Sequence, residues 1–183
     1  FGQEEKVAGT KAGERLKADG AQHALCVIHE QGNSSQEARC AGVKDGMDGG
    51  KVEILYVNGK DLTAAQSTIN AKLAQDKSID WVMALQASVA MRSTDAVAEA
   101  GAQAKVSTFD TNAELVDAIA DGTVQWAVDQ QPYMQGYLAV DALWLAHRNG
   151  STLGGGRPVY TGPSFVDSTN VDVISESAKE GLR

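Results

Sequence analysis

Short apolar runs alternate with amphipathic stretches five times along this chain, and that alternation leaves few folds open. The runs are Ala24 to Ile28 (ALCVI), Val52 to Val57 (VEILYV), Ile79 to Leu85 (IDWVMAL), Val106 to Phe109, and Val124 to Val128. A short, continuous apolar run such as ALCVI suits a strand buried on both faces, as in parallel sheets. The stretches around them read as helices. Val7, Ala8, Ala12 and Leu16 recur at near-helical spacing before Gly20 stops the run. Capping boxes at Ser34-Ser-Gln-Glu37, Thr63-Ala-Ala-Gln66 and Thr111-Asn-Ala-Glu114 predict three further helix starts. Ala65, Ile69 and Leu73 form one buried stripe, and Leu115 and Ile119 face inward. A helix over residues 88–100 is closed by Gly101, where a left-handed cap residue belongs. Strand and helix in alternation predict an α/β fold: an open, doubly wound parallel sheet with helices on both faces. A barrel would need about eight such units.

The 183 residues, 43% of them apolar, suffice for one full domain with material left for part of another. A net charge of −8 without basic runs argues against nucleic acid and against an anionic membrane surface as partners. No apolar run approaches the roughly 20 residues of a membrane span. The chain opens at Phe1 on a polar helical segment without a signal sequence, which fits a trimmed secreted protein or an internal fragment. Cys26 and Cys40 are either two buried thiols or, in an oxidising compartment, a disulfide. Neither is expected to act as a catalytic nucleophile.

The helix expected after Pro132 differs from the others. Met134, Tyr137, Leu138, Val140, Leu143, Trp144 and Leu145 wrap most of its circumference. Such a helix needs cover on more than one side. It therefore belongs in another lobe or against a partner chain, and residues 132–147 left bare would self-associate. The chain divides into a lobe over 1–130, a crossing and helix over 131–157, and a returning edge strand with a C-terminal tail over 158–183. Pro158 and Pro163 restrict that last strand to an edge.

Ligands of open parallel sheets bind beyond the carboxyl ends of the strands. There the sequence places His29, Glu30, Asn33 and Arg39, then Asn58 and Asp61, then Gln86, then Asp110, Thr111 and Asn112, and last Gln130 and Gln131. This rim of amides, carboxylates and one Arg offers paired donors and acceptors rather than proton-transfer groups. It suits a polyol, whose hydroxyls both donate and accept. Each residue also has a plainer reading: Thr111 as a helix cap with Asp110 supporting it, Gln130 as a turn residue, Arg39 as a solvated charge or ion-pair partner, His29 as a structural hydrogen-bonder, Phe109 as a core aromatic. No nucleophile elbow, phosphate loop or dinucleotide fingerprint is present, and the three His are too scattered for an evident metal site. The chain reads as a binding protein without catalytic residues, metal or cofactor.

Several of these segments together resemble the type I periplasmic sugar-binding proteins of ABC importers, the ribose- and galactose-binding class. They are Phe109-Asp110, Asp121-Gly122, Gln130-Gln131-Pro132 with Gly136, the stretch GNSSQEARCAG from Gly32 to Gly42, and MALQASVAM from Met83 to Met91. The resemblance implies two α/β lobes joined by three crossing strands with the solute between them, of which this chain is the carboxyl-terminal lobe. It implies solute contacts by Asn33, Arg39, Gln86, Asp110 and Gln130, with Asp61 a looser match. Gln86 stands where the family more often has a shorter Asn. The implied partners are a sugar or polyol, an amino-terminal lobe preceding Phe1, and a membrane ABC permease, in the periplasm or outside the cell, with or without a lipid anchor. The hinge would lie near Phe1, at Gln131-Pro132 and near residues 156–159. The alternative is the ligand-sensing domain of a sugar-responsive repressor or sensor protein, which shares the fold.

Overall fold

The computed structural model describes residues 1–183. Seven helices and six strands follow the expected alternation: α1 (Glu5–Ala18), β1 (His23–Ile28), α2 (Ser34–Gly46), β2 (Lys51–Tyr56), α3 (Leu62–Gln75), β3 (Trp81–Ala84), α4 (Ala87–Glu99), β4 (Lys105–Phe109), α5 (Ala113–Ala120), β5 (Trp126–Asp129), α6 (Pro132–Asn149), β6 (Ser164–Asp167) and α7 (Val171–Lys179). The strands form one sheet in the order β2-β1-β3-β4-β5-β6. All pairs are parallel except β5 with β6. β6 is the edge strand that the prolines required, and Pro163 lies just before it.

Alternate residues of the buried strands feed two cores, because successive strand side chains point to opposite faces. Leu25, Val27, Val82, Ala84 and Ala127 pack with Ile69, Leu73, Val89, Leu115, Ile119 and Ile174 from α3, α4, α5 and α7. Cys26, Ile28, Trp81, Met83, Phe109 and Trp126 pack with Ala8, Ala12, Leu16, Cys40 and Val43 from α1 and α2. Cys26 and Cys40 are joined by a disulfide across that second face, with Cα atoms 5.9 Å apart. Of the two states open to these cysteines, the fold takes the bonded one.

Two local expectations are corrected. Val7 is exposed. Ala8, Ala12 and Leu16 are buried as expected, and beside them Gly9 and Gly13 meet Gly42 and Gly46 of α2: a Cβ on any of the four would run into backbone of the facing helix. Small residues four apart let the two backbones touch, which fixes α2 rigidly on α1. The helix caps also differ from the three capping boxes. α2 is capped by Asn33, whose Oδ1 accepts from the backbone N–H of Ser35 and Gln36. Asp61 caps α3 through the N–H of Ala64, and Asn112 caps α5 through that of Leu115. In each case an Asn or Asp one or two residues away replaces the hydroxyl, before it in α2 and α3 and after it in α5.

α6 stands apart. None of its residues is buried; Leu143 is 72% exposed and Trp144 61%. A side chain at Gly136 would meet nothing within 4 Å. No helix of the chain is long and apolar enough to cross a membrane.

Candidate functional site

The chain winds from β1 outward to β2 and then returns past β1 to β3, so the strand order reverses between β1 and β3. Helices leave to opposite faces at such a point, and the crevice that opens there is where open α/β sheets hold ligands. Here a cavity of about 200 Å³ sits over it, lined by His29, Asn33, Gln36, Arg39, Leu85, Gln86 and Asp110 among others. Four of the five expected solute contacts (Asn33, Arg39, Gln86, Asp110) and the rim residue His29 therefore meet at one place.

Arg39 is buried rather than solvated. Its guanidinium carbon lies 4.7 Å from the centre of the Phe109 ring, and Phe109 is a wholly buried core aromatic. Nε and Nη2 donate to the two carboxylate oxygens of Glu5. Nη1 faces Asp110 Oδ2 at 3.9 Å. One edge of the fork is thus fixed by α1, and the other is turned to the cavity.

Asp110 takes a left-handed backbone conformation, φ 62°, which costs a non-glycine residue about 1 kcal/mol or more. Its N–H donates to Val128 O (2.8 Å) and its Oδ1 accepts from Gln130 Nε2 (2.8 Å). Burial raises the Asp110 carboxyl above the usual carboxylate range, while the Gln130 amide and Arg39 pull the other way. Gln130 itself does not line the cavity and reaches it through Asp110.

Gln86 precedes α4, and its side chain makes no capping bond. It borders both the small cavity and a wider polar groove toward β2, lined by Tyr56, Asn58 and Lys60. Asn33 is less free: its Oδ1 holds the α2 cap and its Nδ2 donates to Glu30 Oε2 at 2.7 Å. Asp61 lies outside the cavity and is occupied by its cap.

Two residues that the sequence did not single out organise the site. Glu5 orients Arg39 from 34 positions away. Gln36 Oε1 accepts from the backbone N–H of His29 (3.0 Å) and of Glu30 (3.2 Å), pinning the loop after β1. That orientation directs the Gln36 NH₂ to His29 Nε2 at 3.0 Å, so Nε2 accepts and Nδ1 carries the proton. Burial lowers the His29 imidazole, keeping it neutral, and its buried Nδ1 has no partner. The paired Gly9/Gly13 and Gly42/Gly46 were the available sign that α1 and α2 touch and that a residue of α1 reaches the rim.

At the opposite end of the sheet His23, Glu53 and Asp76 bring one ligand atom each within 4.8 Å of one another. Lys51 and Lys72 already bind the two oxygens of Glu53 and lower its carboxyl to about 2. Two ammonium groups held against the Glu53 oxygens oppose a metal cation there.

Fixed donors and acceptors around a small crevice suit the holding of a polar solute. Residues 1–151 match the model of the periplasmic binding protein domain, and the chain belongs to that family. It superposes with a TM-score of 0.96 and 49% identity on a carbohydrate transporter protein from Acidothermus cellulolyticus 11B solved in complex with myo-inositol, covering 100% of this chain and 64% of that one. The arabinose-binding protein AraP from Geobacillus stearothermophilus shares the fold at 24% identity and TM-score 0.75, over 94% of this chain and 63% of that one. So does an ABC transporter periplasmic solute-binding protein from Actinobacillus succinogenes 130z with bound D-allose, at 20% and 0.79, over 94% and 62%. The chain spans just under two thirds of the length of each. No curated protein sequence matches the chain. The setting is periplasmic or extracellular, as is typical of this family, where a disulfide such as Cys26–Cys40 persists.

Proposed function

We propose that this chain is the carboxyl-terminal lobe of the solute-binding component of an ABC importer, and that it takes a polyol or monosaccharide. The observation that carries this is the convergence of the Arg39 fork, the Asp110 carboxylate and the free Gln86 amide on one crevice. A carboxylate accepts from two adjacent hydroxyls while the guanidinium donates to their oxygens, which suits a ring bearing hydroxyls on neighbouring carbons. The 49%-identical protein holds myo-inositol, a ring of that kind, which makes a cyclic polyol the first candidate. Membership in the ribose- and galactose-binding class rests on the same residues together with Gln130-Gln131-Pro132.

A second lobe would cover the crevice from the far side. The bare apolar face of α6 supports this, as does the meeting of Gly2, Gln131 and Thr161, three distant segments joined by hydrogen bonds. The lobe then ends near residue 130, residues 131–157 cross over and contribute α6 to the neighbour, and residues 158–183 return. Closure of the lobes on solute would be the state the permease reads. The Cys26–Cys40 disulfide favours this reading over a repressor working in a reducing cytoplasm.

Calorimetric titration of the full-length protein with myo-inositol, arabinose, allose, ribose and galactose tests it. At least one should bind, and Asp110→Ala should weaken that binding by about 2–4 kcal/mol, because its buried partners are left unpaired. Absence of binding across the panel, or affinity indifferent to both Asp110→Ala and Arg39→Met, would overturn the proposal.

A further inference from the structure

Directly behind Asp110, a small group of side chains ties the rim of the crevice to the three segments that meet there. Gly2 N donates to Val159 O at 3.2 Å, and Thr161 N donates to Gly2 O at 2.8 Å. Gln131 Nε2 donates to Thr161 O at 2.6 Å. The backbone of Gln131 is left-handed, φ 58°, and its N–H donates to Asp129 Oδ1 at 2.7 Å. Asp110 and Gln131 are the only non-glycine residues of the chain with positive φ, and they flank Gln130 in space: one bonds its amide, the other follows it in sequence.

Gln135, in the first turn of α6, closes this group. Its Nε2 donates to Gln130 O at 2.8 Å and lies 3.1 Å from Thr161 Oγ1 and 3.4 Å from Gln130 Oε1. Thr161 Oγ1 in turn lies 2.7 Å from Gln130 O. Two amide hydrogens are therefore shared among three acceptors, the side-chain and backbone oxygens of Gln130 and the hydroxyl of Thr161. The Gln130 amide thus stands between Asp110 and Gln135: its Nε2 holds the first and its Oε1 faces the second. The strained residues on either side are where backbone rotation would release energy rather than cost it.

We propose that Gln135 is a positioning residue that couples the Asp110–Gln130 pair to the crossing segments at Gln131 and Thr161, so that occupation of the crevice and bending of the chain are one event. The proposal rests on the two-lobe reading above. It assigns Gln135 no contact with solute. It acts by holding Gln130 and Thr161 in the arrangement that favours one lobe angle, and a solute bound by Asp110 biases that arrangement.

The test uses the full-length protein carrying Ser67→Cys and Ser151→Cys, labelled with a fluorescent donor–acceptor pair. Ser67 lies on α3 of the lobe and Ser151 just beyond α6, so the distance between them reports the lobe angle. In the parent protein the single-molecule distance distribution should shift when myo-inositol is added. Gln135→Met keeps the length of the side chain and removes both donors. It should broaden the distribution without ligand and speed ligand dissociation about fivefold or more, the lower end of ordinary coupling between sites. Thr161→Val should act in the same direction, and the double variant should be no worse than the stronger single one, because the two share a path. If Gln135→Met does not fold, Thr161→Val alone carries the same expectation. A parent protein that closes while both variants close with unchanged distribution and dissociation rate would overturn the coupling and leave the two-lobe reading intact. A parent whose distribution is unmoved by myo-inositol, arabinose and allose would overturn both.

Discussion

Asp110 meets three demands at once: a left-handed backbone, partial burial, and a charge. The first is easiest for Asn, Asp and Gly, the second opposes the charge, and the third is what a polyol needs. Because burial raises its folded-state pKa, the ionised carboxylate opposes folding at neutral pH, and that opposition fades as the pH falls through the raised value. Asp110→Asn should separate the demands. Asn tolerates the backbone and its Oδ1 still accepts from Gln130, so thermal unfolding of the ligand-free protein should occur at the same or a higher temperature. Solute affinity should nevertheless fall by about 1.5–3 kcal/mol with the lost charge-assisted bonds. A fall in both would mean that the carboxylate is structural. Asp110, Arg39 and Gln86 were legible in the sequence because strand ends are legible, and the crevice lies at strand ends. Glu5 was not, since a hydrogen bond between α1 and α2 leaves no local pattern. Asn33 was legible as a rim residue, but not that its amide is engaged in a helix cap.

At the scale of elements, the position of Arg39 depends on how α1 meets α2. Those helices touch through glycines, so their spacing is set by backbone contact rather than by adjustable side chains. Gly46→Ala should place a methyl group against the backbone of Thr10 and Glu14. The expected cost is about 1–3 kcal/mol of unfolding free energy, as for other overpacked contacts. Denaturant titration measures it, and a parallel drop in solute affinity should follow as Glu5 moves relative to Arg39. Unchanged stability would show that the helices can separate without loss. Helix existence was read correctly from apolar spacing, while the caps were misplaced by one or two residues. Ser or Thr followed by Glu or Gln is a frequent pattern, and it does not reveal that a neighbouring Asn or Asp has better reach.

At the scale of the whole molecule, the two buried faces of the sheet and the bare helix α6 set the main contrast. Leu143, Trp144 and Val140 are as apolar as the core and are exposed. The 183-residue chain by itself should self-associate through this face as concentration rises, since a contiguous apolar patch on an otherwise polar surface seeks cover. Sedimentation velocity on the parent and on Leu143→Glu/Trp144→Lys checks it: the parent should gain mass with concentration and the variant should stay monomeric. A parent that stays monomeric throughout would show that the patch is too small or too curved to pair. The sequence by itself determined the α/β class, the carboxyl-end rim and the odd character of residues 132–147, because periodicity, strand ends and all-round apolarity are local properties of a chain. Tertiary structure alone decided the order of the strands, the Cys26–Cys40 bond, the Glu5 clamp on Arg39 and the meeting of Gly2, Gln131 and Thr161. Each of those joins residues distant in sequence, and only packing determines which distant residues become neighbours.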